Sequence, residues 1–273
     1  MKHLVLFLLS VAVRTACLAQ ITVSGQVLNE RGETVEYVSI GIEGDSVGVI
    51  SDAKGHFTLT IPTDRRDELA VSHVSYQMVT VPYEAYSAGK ELTVTLQDKV
   101  VELMEVVVGN DRKVRTLSGK SVVPFSVVGF VGEHDGDIEW GPLFRNRKDY
   151  VLTEILLDVS ECTYDECMLS FNVYEIRDKQ FENILNKPIY KLVTPDDKGK
   201  QIAVSPEEAV VLHRKGDYCV SVCLVDAKGK GGLYSPLNLK NSCARNNAKG
   251  KMRKLPACPS LVVKGEEILD TSH

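Results

Sequence analysis

The sequence holds one tryptophan, and aromatic residues fill only 7% of its 273 positions. Charge of one sign is also scarce: 32 Lys and Arg face 37 Asp and Glu, a net charge of −5. That balance gives no bulk electrostatic case for nucleic-acid binding. No apolar run approaches the ~20 residues that a membrane-spanning helix requires, so no membrane span is expected. None of the six histidines stands in an HExxH pattern or at i, i+4 spacing, which leaves a catalytic zinc site without support. No metal and no cofactor are expected. Cysteine is absent between Cys17 and Cys162, so any crosslink belongs to the second half. What is present is ordinary for a globular chain: 44% hydrophobic and 25% charged residues. Collagenous, low-complexity and wholly disordered classes are thereby excluded. The length fits two domains at roughly 100–200 residues each.

The N-terminus reads as an export signal. Lys2 and His3 precede the apolar run Leu4–Val13, and Cys17-Leu18-Ala19 supplies small residues at the −3 and −1 positions of a cleavage site. Residues 1–19 are assigned as a signal peptide cut after Ala19. Lipidation at Cys17 is the alternative, opposed by Arg14 where an apolar residue is wanted. The mature chain is expected in an oxidising compartment, the periplasm or the outer-membrane surface.

The rest alternates with period 2, the mark of half-buried strands. Ile21, Val23, Gly25 and Val27 alternate first, then Phe57, Leu59 and Ile61, then Leu69, Val71 and His73, then Leu92, Val94 and Leu96. Turn clusters separate them at Asn29–Gly32, Asp52–Gly55 and Pro62–Asp64. In Asp52-Ala53-Lys54-Gly55 the carboxylate can bond its own downstream backbone, and the glycine accepts a positive φ. Only Tyr83–Ala88 hints at a helical turn. Short strands at this spacing indicate a β-sandwich.

Three motifs carry a resemblance. They are Gly25-Gln26-Val27 with Gly32, Val49–Leu59 around Ser51-Asp52-Ala53-Lys54-Gly55-His56-Phe57, and Ser72-His73-Val74-Ser75-Tyr76. Together they resemble the carboxypeptidase-regulatory-like domain, common in envelope proteins of the Bacteroidetes. The resemblance covers about residues 20–97 and implies a transthyretin-like, seven-strand sandwich, an accessory module without peptidase chemistry; the domain is assigned to residues 20–108. Ser75 stands where the family has glycine. Glu102-Leu103-Met104-Glu105-Val106-Val107-Val108 is similar to the segment after this domain in TonB-dependent receptors. Too few residues remain for a receptor barrel. Residues 109–121 read as a polar linker.

Residues 122–266 are again strand-like. Tyr150–Val159, Leu169–Tyr174, Ile189–Val193 and Tyr218–Val225 are the main runs. In the last, Tyr218, Val220, Val222 and Leu224 share one face, and Cys219, Ser221 and Cys223 the other. Glu139-Trp140-Gly141, Asn172-Val173-Tyr174, Asn183–Ile189, Arg245, Gly250-Lys251 and Leu261–Val263 resemble a second module of the same bacterial proteins, which implies a jelly-roll-like sandwich. Residues 267–273 are a tail. The expected class is all-β: a transthyretin/Ig-like sandwich followed by a jelly-roll-like one.

Two motifs invite sharper chemistry. Gly44-Asp45-Ser46-Val47-Gly48 matches G-x-S-x-G, but a nucleophile elbow needs a strand-to-helix turn, and strands flank Ser46 on both sides. A hairpin turn is the simpler reading. Glu133–Glu139 packs carboxylates around His134 without the spacing of a calcium loop, and reads as a solvated loop.

Six cysteines remain after cleavage. In an exported chain they imply disulfides. The expected bridges are Cys243–Cys258, closing a short basic loop, and Cys162–Cys167, clasping the Thr163–Glu166 hairpin. Cys219 and Cys223 lie about 13 Å apart along one strand and cannot bond each other. A zinc cluster is the alternative, but no CxxC pair occurs.

Lys240, Arg245, Lys249, Lys251, Arg253 and Lys254 form a basic stretch without an acid before Glu266, whereas residues 20–108 hold fourteen acids against six bases. An exposed hairpin, or a loop meeting an anionic glycan or phosphate-bearing lipid, fits this stretch. The function expected is interaction without enzymatic chemistry: docking an envelope protein or a glycan, not a nucleic acid. A carbohydrate-binding accessory of a nutrient-uptake system is the alternative, with Trp140, Tyr164 and Tyr234 as candidate contacts. A hydrolase stands third, since no carboxylate pair or triad is legible. N-terminal sequencing of the exported protein is expected to begin at Gln20; a start at a lipid-modified Cys17, or an intact Met1, overturns the export reading.

Overall fold

A computed structural model of the protein describes residues 20–99, 113–131, 138–246 and 248–268. The expected signal peptide, the Glu102–Val108 segment and Glu133–Asp137 lie outside the described residues.

The first unit pairs two sheets. One holds β1 (Gln20–Asn29), β4 (His56–Pro62) and β7 (Leu92–Leu96) in the order β4-β1-β7. The other holds β2 (Ser39–Gly41), β3 (Gly48–Ile50), β5 (Leu69–Ser72) and β6 (Val79–Val81) in the order β3-β2-β5-β6. The helical turn expected near Tyr83 is α1 (Tyr83–Tyr86). Alternation explains the packing: Val23, Val27, Phe57, Leu59, Ile61, Val94 and Leu96 turn inward onto Ile40, Leu69, Val71 and Val81. The Asp52 turn forms as its chemistry requires. Asp52 Oδ1 accepts the backbone N–H groups of Lys54 and His56, each at 2.8 Å, and Gly55 sits at φ +75°.

The second unit begins inside the stretch expected as a linker. There β8 (Val114–Ser118) pairs with β23 (Leu261–Glu267). The intervening strands are β9 (Val122–Val131), β10 (Ile138–Arg145), β11 (Tyr150–Asp158), β12 (Glu161–Cys162), β13 (Glu166–Arg177), β14 (Gln180–Asn183), β15 (Ile189–Val193), β16 (Gln201–Val204), β17 (Val211–Leu212), β18 (Asp217–Lys228), β19 (Gly232–Asn238), β20 (Ser242–Asn246), β21 (Arg253–Leu255) and β22 (Cys258–Pro259). They build three antiparallel sheets: β14-β13-β18-β10-β20-β21 with β15 beside β13, β16-β11-β23-β8 with β17 beside β11, and β12-β19-β22 with β9 beside β19. Their inner faces share one core, from Leu152, Ile155 and Leu157 through Phe171, Val220 and Val222 to Leu261 and Val263. Several sheets curling about one core accord with a jelly-roll-like module.

The cysteine pairing differs from expectation. Cys243 bonds Cys219, not Cys258. The two lie on β20 and β18, which flank β10 on opposite sides. Strands separated by a third ordinarily stand about 9.5 Å apart, yet these Cα atoms are 6.8 Å apart. The reason lies in β10. Its ladder with β18 opens between Trp140 and Leu143, where Pro142 has no N–H to give. A Cβ on Gly141 would fall 1.9 Å from the Val220 carbonyl oxygen, so the missing side chain admits the close approach. Cys258 is a buried free thiol, and burial pushes it up to about 12. Cys162 and Cys167 are buried thiols whose sulfurs stand 4.0 Å apart, adjacent but unbonded.

Mass mapping of the non-reduced chain is expected to link Cys219 to Cys243 and to leave Cys258 free. The sequence separation of 24 residues makes the bridge worth roughly 3 kcal/mol in the chain-entropy account. Cys243→Ser is therefore expected to lower the melting temperature of the second unit, and an unmoved melt contradicts that account.

Candidate binding cleft

The two units meet face to face. From the first, Tyr37 and Ile50 pack on Cys223, Val225, Met168 and Tyr190 of the second. The Tyr37 and Tyr190 rings meet edge-on at 5.0 Å between centroids. This contact explains a feature of β18: Cys219, Ser221 and Cys223, on the face away from its own core, are buried too. Part of that face is covered by the first unit.

Beside this seam lies a cleft of about 730 Å³. One wall is Ser72, His73, Val74 and Tyr76 of the third motif with Tyr37, Ser39 and Gln77. The opposite wall is the outer face of β13, where Ser170, Asn172 and Tyr174 recur at every second residue, with Phe181 and Asn183 on β14 and Tyr190 on β15. Glu139, Arg245 and Lys249 complete the lining.

His73 joins the walls. Its Nδ1 accepts the Ser75 N–H at 3.2 Å. That fixes the ring proton on Nε2, which donates to Tyr190 Oη at 3.3 Å. Ser75, in place of the family glycine, thus makes the turn with a ring acceptor and no positive φ. Burial depresses the His73 pKa to about 4 and raises that of Tyr190.

Glu139 anchors the second unit's side. Its Oε1 accepts Tyr174 Oη at 2.9 Å and Ser221 Oγ at 2.6 Å. Its Oε2 accepts Arg245 Nε at 2.7 Å and pairs with Nη2 at 2.6 Å. Burial works against the Arg245 charge, but Glu139 and Tyr174 outweigh it, and the net pKa is raised. The Tyr174 pKa is raised chiefly by burial.

Lys249 crosses to the first unit. Its side chain lies against Gly41 and Gly48, and its carbonyl oxygen accepts the Gly44 N–H at 2.8 Å. Its Nζ donates to Ser72 Oγ at 2.6 Å and stands 3.5 Å from Glu43 Oε2. Burial lowers its pKa, with Glu43 opposing. Two members of the basic stretch are therefore not an exposed hairpin face: Lys249 docks on the first unit, and Arg245 is held by Glu139 within the second.

The aromatic candidates fall elsewhere. Tyr164 is 1% exposed and belongs to the core. Trp140 is half-buried, and its indole N–H donates to the Ala257 carbonyl at 2.7 Å. Tyr234 is half-buried over Gly129. None lines the cleft; its rings are Tyr37, Tyr76, Tyr174, Phe181 and Tyr190. Alternation on β13 and the Ser72–Tyr76 motif were the available signals, but neither reveals that the two walls face each other. Ser46 sits in the turn between the antiparallel strands β2 and β3, beside Asp45, with no elbow. Among the described residues no group of three metal-ligating side chains gathers.

Comparison with known proteins assigns the first unit. Residues 23–108 match the CarboxypepD_reg-like domain. They are a CarboxypepD_reg-like domain. The rest of the chain is unassigned but β-rich. No curated protein matches the chain. Among solved structures it is similar to one from infectious bursal disease virus, strain Gx, at 8% identity and a TM-score of 0.29; the alignment covers 90% of this chain and 63% of the viral one. It is also similar to a carbohydrate-binding module of the β-sandwich superfamily, at 10% identity and a TM-score of 0.20, covering 79% of this chain and 95% of the module.

The buried His73 ring makes the seam sensitive to acid. Above the ordinary histidine range the ring is neutral whether the units are docked or not. Between about 6.5 and about 4 only the undocked or unfolded state takes up the proton, so docking loses stability as pH falls through that window. Melts of the wild type from pH 7 to pH 4 are expected to drop more steeply than those of His73→Gln; parallel curves contradict the assignment.

Proposed function

We propose that this chain is a non-enzymatic binding protein of the cell envelope that takes its ligand in the cleft between the CarboxypepD_reg-like domain and the second β module. The observation that carries this reading is the cleft itself. Its volume lies within the ~300–1,000 Å³ usual for ligand sites, and its lining mixes rings with a few convergent polar groups. CarboxypepD_reg-like domains are often found in binding or transport proteins. The Cys219–Cys243 bridge is consistent with an extracytoplasmic setting. The ligand is a glycan or a segment of a partner protein.

A hydrolase reading would draw on the contact between Ser72 and Lys249. A general base must first be neutral; burial lowers the Lys249 pKa, and the Glu43 carboxylate opposes that shift. In the charged form the ammonium donates a hydrogen bond to the Ser72 hydroxyl at 2.6 Å and cannot take its proton. Absence of fluorophosphonate labelling at Ser72 and Ser46 is expected, and labelling at either contradicts a non-enzymatic role.

The binding reading is tested by filling the cleft. Asn172→Trp places a large ring on the β13 wall, away from the Lys249 docking contact. Ligand binding, screened on glycan arrays and with extracts of the native envelope, is expected to fall at least tenfold, with the melt lowered by no more than loss of the 2.9 Å bond from Asn183 Nδ2 to Asn172 Oδ1. A bound ligand indifferent to Asn172→Trp overturns the cleft as the site.

A further inference from the structure

The charged groups lining the cleft are Glu43, Lys99, Glu139, Glu182, Arg245 and Lys249. They are not equally available. Glu139 and Arg245 already satisfy each other, with Tyr174 and Ser221 closing the network. Lys249 is different. It is 4% exposed, yet its closest carboxylate is Glu43, whose side chain is 68% exposed and stands 3.5 Å away. Its one short contact is neutral, the Ser72 hydroxyl at 2.6 Å. An ammonium carries three donors. A buried cation compensated mainly by a solvated carboxylate is expensive to hold, and a second carboxylate reaching Nζ from the cleft would relieve it through a charge-assisted bond.

The walls state what else that carboxylate is attached to. Tyr76, Phe181 and Tyr190 offer partly exposed ring surface, while Ser170, Asn172 and Gln77 offer hydroxyl-directed donors and acceptors. Rings beside short polar groups suit the C–H face and hydroxyl edge of a sugar. The volume exceeds what a lone carboxylate would fill. A phosphate is a poorer fit, because the bidentate fork it prefers on arginine is taken at Arg245 by Glu139.

Taking the cleft as the ligand site, we propose that it binds an acidic saccharide, with the sugar carboxylate on Lys249 Nζ and Ser72 Oγ and a pyranose face against the Tyr76, Phe181 and Tyr190 rings. Selectivity for the acid form follows from Lys249, and tolerance of the ring identity follows from the aromatic walls. Binding is expected to weaken with added salt less than at an exposed lysine, because a buried pair is poorly screened.

The experiment is titration calorimetry on the mature chain with oligosaccharides of galacturonic acid, glucuronic acid and sialic acid, each beside its methyl ester. At least one acid is expected to bind tenfold or more tighter than its ester. Lys249→Met, which keeps the aliphatic stem, is expected to abolish the acid's advantage over its ester. The acid–ester comparison on the wild type stands even if Lys249→Met fails to fold. Equal binding of acid and ester overturns the acidic specificity while leaving a glycan cleft in place. Acid binding untouched by Lys249→Met overturns the role of Lys249. Binding by no member of the panel overturns the saccharide inference. The cleft reading itself falls only if Asn172→Trp leaves a bound ligand indifferent.

Discussion

Strand β18 is buried on both faces, and each face sets a different part of the molecule. Inward, Tyr218, Val220, Val222 and Leu224 fill the core of the second module. Outward, Cys219 reaches Cys243, Ser221 reaches Glu139, and Cys223 meets Tyr37 of the first unit. A strand covered on both sides leaves its outer polar groups without water, and each must find a partner. Ser221 and Glu139 do so through Arg245. Removing one member of such a buried pair leaves a charge uncompensated, at a cost of roughly 3–5 kcal/mol.

The same burial makes the seam between units polar and specific. A purely apolar seam would tolerate sliding, because the hydrophobic effect has no direction. Here the Tyr37 and Tyr190 rings supply apolar contact, while His73, Ser39 and Lys249 set its register. Ser39 Oγ donates to the Ala248 carbonyl at 3.1 Å, next to the Lys249 carbonyl that Gly44 engages. The segment around Ala248 and Lys249 therefore behaves as a latch of the second unit on the β2–β3 hairpin. That hairpin is the Gly44–Gly48 motif whose letters mimic a nucleophile elbow. A glycine just before it serves the latch: a Cβ on Gly41 would fall 3.1 Å from the Lys249 stem.

A cleft beside such a latch has walls from two units and lining residues from one docking residue, Lys249. On the proposed reading, ligand binding and unit docking share side chains. Groups that hold the units together, Ser72, His73, Tyr190 and Lys249, are also the groups a ligand would touch. Anything that loosens the seam, acid at His73 included, would alter the cleft as well.

Strand alternation, turn chemistry and the three motifs of residues 25–76 determined the all-β class and the first sandwich, because period-2 burial and the Asp52 turn are local properties of the chain. The faces of β13 and β18 were legible for the same reason. Which strands lie beside them was not. Cys243 meets Cys219 because β10, entering between them, carries Gly141 and Pro142, and that adjacency is set by sheet order. Cys258, nearer in sequence, is carried by β22 in another sheet. Tyr164 looked available and is core, while Tyr76 and Tyr190 become cleft walls only when the units face each other. A linear pattern records which face a residue takes in its own strand; what stands opposite that face is decided by contacts between residues such as Ser72 and Lys249, which the chain brings together across 177 positions.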